Sequence, residues 1–125
     1  MTQDPSLSKA VDQFILAEID SVPHLEALLL LWNSRPRKWS LQEVAKALYL
    51  LPDETRYILD DLKQRGLLKT EAESYLYDEQ YKREKLIEEV ARTYRKELIR
   101  ISRMIHSKAS ASVREFARAF KLKKD

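Results

Sequence analysis

The chain has 125 residues with a formal net charge of +3, and 44% of its residues are hydrophobic, enough to bury the core of one domain. One glycine and no cysteine are present, which excludes disulfides, thiolate metal sites and cysteine nucleophiles and favours a cytoplasmic protein. The longest apolar run, residues 27–32, is far shorter than the roughly 20 residues of a membrane span, and the first residues show no signal-peptide pattern.

Helical spacing of apolar residues predicts the first two helices. After frayed residues 1–8, the first helix covers residues 10–19 with one apolar face. The second covers residues 22–33, and Ser21 can cap its first turn. Because the apolar stripe of the second helix is wide, we expect this helix to be buried on most sides.

The next two helices are predicted by their end signals. Ser40 with Glu43 forms a capping box for a helix that continues to about Leu48. Pro52 opens the following helix and Gly66 ends it, as proline and glycine typically do at these two positions.

The pattern changes after that glycine. Alternating residues predict a small β-hairpin over residues 67–77. One long helical pattern then covers residues 78–108. Ser112 and Glu115 form a second capping box, which predicts a last short helix over residues 113–120.

Two motifs follow each other within residues 39–77. The first, Glu43-Val-Ala-Lys-Ala-Leu48, lies on the capped helix, and the second is Leu59-Asp-Asp-Leu62-Lys-Gln-Arg-Gly66-Leu67-Leu68. Together they resemble the support helix, the end of the recognition helix and the first wing strand of a winged helix-turn-helix, as found in bacterial transcription regulators. The resemblance covers about a third of the chain and is of moderate specificity, because such motifs are short.

The resemblance implies a mainly α fold with a three-helix core, a small β-hairpin wing, a long C-terminal helix and a short terminal helix. Residues 10–77 would form the winged helix-turn-helix domain. Residues 78–125 would form a helical extension for dimerisation or partner binding. No activity is carried over beyond that of a regulator which binds double-stranded DNA.

The candidate DNA contacts lie in the segment before the first motif and on the helix that ends in the second motif. In such folds the recognition helix enters the major groove and neighbouring cations hold phosphates. Arg56 and Tyr57 are the expected base-reading residues. The full candidate set is Arg35, Arg37, Lys38, Arg56, Tyr57, Lys63 and Arg65.

Charge leaves a second interpretation open. Residues 53–65 carry three basic and four acidic side chains, and Glu71 and Glu73 occupy the predicted wing tip. DNA affinity arises mainly from neutralising phosphates. The alternative is therefore a winged helix that binds another protein and no DNA.

The C-terminal part is strongly basic and carries a line of apolar residues. Residues 1–81 have a net charge of −5 and residues 82–125 a net charge of +8. A coiled-coil-like line predicts a homodimer seam, or else packing on the chain's own first helices. The line consists of Ile87, Val90, Tyr94, Leu98, Ile101 and Ile105. Phe116 and Phe120 could likewise dock on the protein's own body or on a partner.

Nothing in the sequence predicts an enzyme, a cofactor or a metal site. The chain has no glycine-rich phosphate loop and no nucleophile elbow. His24 and His106 stand apart from each other and from further ligands, whereas a metal site needs three or four.

Overall fold

The computed structural model describes residues 5–80 and 83–109, which are mostly helical. The elements in chain order are α1 (Pro5–Glu18), α2 (Val22–Asn33), α3 (Leu41–Leu48), α4 (Pro52–Gln64), β1 (Leu68–Glu71), β2 (Ser74–Tyr77), α5 (Glu84–Lys96) and a further helix, α6, over residues 98–109. No helix in these two ranges is long and apolar enough to cross a membrane. The helix predicted over residues 113–120 lies outside the described residues.

The capping residues predicted from the sequence make the expected hydrogen bonds at the starts of α2 and α3. The Ser21 hydroxyl accepts a hydrogen bond from the His24 amide at the start of α2. At α3 the capping box is complete, since Ser40 Oγ accepts from the Glu43 amide and Glu43 Oε1 accepts from the Ser40 amide. Helix α1 begins earlier than predicted, because residues 5–8 continue the same helix.

Helices α2, α3 and α4 pack together, and the hairpin packs beside them. Strands β1 and β2 are antiparallel, and Trp39 forms an additional bridge to Tyr75 through two backbone hydrogen bonds of 2.8 and 2.7 Å. Gly66 has φ +82°, a left-handed backbone that lets the chain leave α4 and enter β1 directly. This is the predicted winged helix-turn-helix.

The long helix predicted over residues 78–108 is divided in two. Glu97, with φ −128° and ψ 46°, separates α5 from α6. Helix α5 packs on α1. Ion pairs hold α6 to this helix and to the turn that follows it, since Arg100 binds Asp12 and Lys108 binds Asp20. The change of direction at Glu97 therefore lets both halves of the long pattern contact α1.

The predicted dimer seam is largely used inside one chain. Ile87, Val90, Ile101 and Ile105 are fully buried in the same hydrophobic cluster as residues of α1 and α2. The burial of these four side chains therefore agrees with the second interpretation of the apolar line, packing on the chain's own first helices. Leu98 alone is largely exposed, and Tyr94 is partly buried.

Candidate nucleic-acid interface

A groove runs between the start of α3, the middle of α4 and the wing. Its volume is about 430 Å³, and it is lined by Leu41, Gln42, Arg56, Thr70, Glu73 and Tyr75. The capping box fixes the first turn of α3 and thereby Gln42. Arg56 points outward because Thr55, Ile58 and Leu59 turn the other side of α4 into the core. The groove thus brings one predicted DNA contact together with the wing.

Arg56, Tyr57 and Lys63 form the accessible part of the predicted set. All three are exposed on α4, Tyr57 by 65% of its surface. Within the described residues, no ion pair involves Arg56 or Lys63. The Tyr57 ring meets the His24 ring edge-on at 5.9 Å, which orients the phenol while leaving it in solvent.

Arg35 and Arg37 stack on tryptophans in the segment before α3. The Arg35 guanidinium lies 3.4 Å from the centre of the Trp32 ring, and its Nε donates to the Trp32 carbonyl at 2.8 Å. The Arg37 guanidinium lies 3.7 Å from the Trp39 ring and 3.6 Å from Glu43. Stacking places both cations at the surface with little rotamer freedom.

Lys38 contacts the wing. Its Nζ lies 3.0 Å from Glu71 Oε1, and Lys69 Nζ lies 3.5 Å from the other oxygen of Glu71. The hydrogen bond from Lys38 holds the pKa of Glu71 below its ordinary value. Because these side chains are about half exposed, the pairs are weak and can open for another anion.

Arg65, a predicted phosphate contact, takes part in several ion pairs within the chain. Only 25% of its side chain is exposed, and its guanidinium donates to the Ala17 carbonyl and to carboxylates of Glu18, Asp20 and Asp61. These partners belong to the end of α1, the following turn and α4. Arg65 therefore braces the end of α4 against α1, and a phosphate would have to replace several existing contacts.

Two acidic residues of α4 have structural partners. Asp60 accepts a hydrogen bond from the Tyr75 hydroxyl at 2.8 Å, which ties β2 to α4. Asp61 pairs with Arg65 and lies 3.1 Å from Nε2 of the buried His24. Burial lowers the pKa of His24, and the Asp61 carboxylate opposes that effect.

The other two acids, Asp53 and Glu54, occupy the first turn of α4. A helix N-terminus favours negative charge, so these side chains stabilise the helix. The acidic composition of α4 thus has a structural explanation at each of its four positions.

The sequence interpretation did not include one residue of the groove and two exposed residues of the turn between α3 and α4 among the candidate contacts. Gln42 was not singled out, although its place in the first turn of a capped support helix is a signal for an exposed polar contact. Tyr49 and Leu51 flank the turn between α3 and α4 and are 95% and 72% exposed. Tyr49 has a left-handed backbone, φ 58°, which presents its ring to solvent.

No three His, Cys, Asp or Glu side chains within residues 5–80 and 83–109 lie close enough to hold a metal ion.

Among known proteins, the chain is similar to solved structures but not to any family profile or curated sequence. No protein-family profile matches the chain. No curated protein sequence matches it.

Three solved structures are similar over nearly the whole chain. A MarR family protein from Bacillus stearothermophilus is 18% identical, with a TM-score of 0.54, covering 96% of this chain and 84% of that one. MepR, a transcription regulator of the Staphylococcus aureus multidrug efflux pump MepA, is 16% identical, with a TM-score of 0.55 and coverages of 96% and 88%.

A MarR family protein from Mycobacterium tuberculosis is 16% identical, with a TM-score of 0.53 and coverages of 97% and 87%. At these identities the likeness concerns the fold. The chain has the winged-helix fold of these proteins, including the helices that flank the winged core.

Proposed function

We propose that this protein is a cytoplasmic winged-helix regulator that binds double-stranded DNA as a dimer. The observation that carries the proposal is the exposed pair Arg56 and Tyr57 on α4, beside the groove formed with α3 and the wing. The described similarity to a named transcription regulator supports it. Residues 10–77 would bind DNA, and residues 78–125 would provide assembly contacts.

The proposed contacts divide into two kinds. Arg56 can present two N–H groups to the acceptors of a guanine edge, and Tyr57 can contact a neighbouring base. Arg35, Arg37, Lys38 and Lys63 are proposed to contact phosphates, because all four side chains are exposed. Gln42 is a further candidate, because it shares the groove with Arg56.

The dimer is proposed to use exposed apolar side chains of α1 and α6. Leu98, which belongs to the predicted seam, is exposed together with Ile99, and Leu16 is exposed on α1. The Asp12–Arg100 ion pair places these two surfaces near each other. Sedimentation of the double variant Leu98→Glu with Ile99→Glu tests this, with Leu51→Glu as an exposed control. If the double variant sediments as a dimer like the wild type, Leu98 and Ile99 are not part of the interface.

DNA binding is tested by fluorescence anisotropy with random duplex DNA over a range of salt concentrations. Each phosphate contact contributes about 0.9 to the slope of log affinity against log salt. The double variant Arg37→Ala with Lys38→Ala should therefore lose about 1.8 of that slope. Arg103→Ala removes a cation from α6 and should leave the slope unchanged.

Two outcomes would overturn the proposal. One is no binding at low salt. The other is binding that is unaffected by Arg56→Ala and by the double variant.

The second candidate is a protein-interaction module. It is favoured by one observation, the acids Asp53, Glu54 and Glu73 that are exposed around the groove. A basic protein partner captured by the wild type but not by Asp53→Lys with Glu54→Lys, together with absent DNA binding, would select this function.

A further inference from the structure

A buried histidine contacts one of the two side chains proposed to read bases. His24 stands in the first turn of α2, and its side chain is only 4% exposed. Its ring meets the ring of Tyr57 edge-on at 5.9 Å, with an angle of 86° between the two planes. Because Tyr57 is itself 65% exposed, a titratable group inside the protein supports a side chain on the surface of α4.

Two polar contacts indicate where the neutral His24 ring carries its proton. Nδ1 lies 2.6 Å from the Ser21 hydroxyl, and Nε2 lies 3.1 Å from Oδ2 of Asp61. A carboxylate beside Nε2 favours a proton on that nitrogen, so Nδ1 accepts from the Ser21 hydroxyl. The contact at Nε2 is short but poorly aligned, and within the described residues this nitrogen forms no hydrogen bond.

Three charged groups face the ring, and two more pair with them. The first three are Asp61 and Arg65 at the end of α4 and Asp20 in the turn after α1; the other two are Glu18 of α1, which pairs with Arg65, and Lys108 of α6, which pairs with Asp20. Burial lowers the pKa of His24, and the carboxylates of Asp61 and Asp20 oppose this effect. Arg65 adds to the lowering. The ring therefore gains its second proton below about pH 6.5, with Asp61 beside it.

We propose that His24 is a positioning residue for DNA reading, which holds Tyr57 in its reading orientation when neutral and releases it when protonated. A charged N–H group gains most from a short, straight hydrogen bond to a carboxylate. Turning the ring toward Asp61 provides that bond, and the same rotation moves the ring edge away from Tyr57. The role in DNA reading rests on the proposed function, whereas the contact between the two rings does not.

An NMR titration of the full chain between about pH 8 and pH 5 tests the contact between the rings. Labelled rings report the pKa of His24 from its imidazole and the environment of Tyr57 from its phenol. We expect the Tyr57 signals to shift with the same midpoint as His24, and this shift should be absent in His24→Gln. Tyr49, which is 95% exposed in the turn before α4, is the internal reference and should not follow that midpoint.

DNA binding tests the consequence for reading. The wild-type protein first selects a duplex from a random pool at pH 8, and its affinity for this duplex and for random duplex is then measured at pH 8 and at pH 5.5. The ratio of the two affinities removes the general effect of pH on phosphate contacts. We expect the ratio to fall about tenfold on acidification, as the loss of one aromatic contact predicts.

Two variants assign this effect to one pair of residues. In Tyr57→Ala and in His24→Gln the ratio should be low at both pH values and nearly constant. The double variant should match Tyr57→Ala, because a residue that acts through a partner has no further effect once the partner is absent. Circular dichroism at pH 5.5 verifies that each protein is folded.

Three results would overturn the role of His24. The first is a set of Tyr57 signals that does not follow the His24 midpoint. The second is a ratio that rises on acidification in the wild type, or that keeps its pH dependence in His24→Gln. The third is a double variant whose loss is the sum of the two single losses. Absent DNA binding, with Tyr57 signals that do follow His24, would overturn the proposed function and support the contact between the rings alone.

Discussion

Arg65→Ala should destabilise the protein and leave its DNA affinity nearly unchanged. Arg56→Ala should weaken DNA binding and leave the stability nearly unchanged. Arg65 donates to one carbonyl and three carboxylates at 3.1 to 3.4 Å. Fully buried hydrogen bonds to charged groups contribute about 1.5–3 kcal/mol each, and exposed ion pairs contribute about 0.2–1 kcal/mol each. With 25% of Arg65 exposed and its partners 20–42% exposed, the exposed-pair value is the better guide.

The expected loss in the free energy of unfolding is then about 2 kcal/mol. For a domain of this length, this corresponds to a fall of about 8 °C in the melting temperature. Part of the loss also comes from Glu18, Asp20 and Asp61, which would face each other without the guanidinium. Added salt should reduce the difference, because it screens the repulsion among these partly exposed carboxylates.

Thermal unfolding followed by circular dichroism measures the effect, with Lys63→Ala as the matched control on the same helix. Lys63 is exposed and without an ion pair in the described residues, so its loss should change the melting temperature by at most about 2 °C. The reasoning fails if Arg65→Ala has the same melting temperature as the wild type, or if it weakens DNA binding as much as Arg56→Ala does.

Three further predictions concern a turn, a cap and a titration. Ala72 and Glu73 have φ of 49° and 67° at the hairpin turn, so Glu73→Gly should raise the free energy of unfolding by about 1 kcal/mol in urea titrations; a destabilised variant would contradict the turn geometry. Ser40→Ala removes the capping box with Glu43 and should cost about 1 kcal/mol, and an unchanged urea midpoint would refute this. Burial lowers the pKa of His24, so the unfolded chain binds the proton more readily. Stability should therefore fall as pH drops below about 6.5, and His24→Gln should flatten that dependence in urea titrations from pH 5 to 8; an equal slope in both proteins would assign it to other groups.

The parts of the fold that local chemistry determines could be predicted from the sequence. The bounds of α2, the capping box at Ser40, the start of α4 at Pro52 and the left-handed Gly66 all depend on residues within one turn of each other. The hairpin differs from its prediction by one residue at most at each end.

The division of the long C-terminal helix could not be predicted, because no glycine or proline marks it. Glu97 is an ordinary helix residue, and the break occurs where α5 and α6 must both meet α1, about 88 positions earlier in the chain. The same contact buries Ile101 and Ile105. Sequence spacing shows that an apolar line exists, but it does not show which surface covers it.

The candidate site was predicted in part for a similar reason. Exposure of Arg56 and Tyr57 follows from helical periodicity, which the sequence contains. The partners of Arg65 and of Asp60 come from α1, the following turn and β2, so their structural roles depend on the tertiary fold. Charge counting along α4 overstated the acidity of the groove for the same reason.

The two ion pairs that join α6 to α1 and to the turn after it also affect the order in which the chain can fold during synthesis. The Asp12–Arg100 and Asp20–Lys108 pairs each join residues 88 positions apart, whereas the winged core closes over much shorter loops, whose ordering is faster. Val11, Phe14 and Ile15 therefore emerge from the ribosome long before α5 and α6, which cover them. Until then the nascent chain presents an uncovered apolar helix, and a chain interrupted before residue 84 would expose that helix to aggregation.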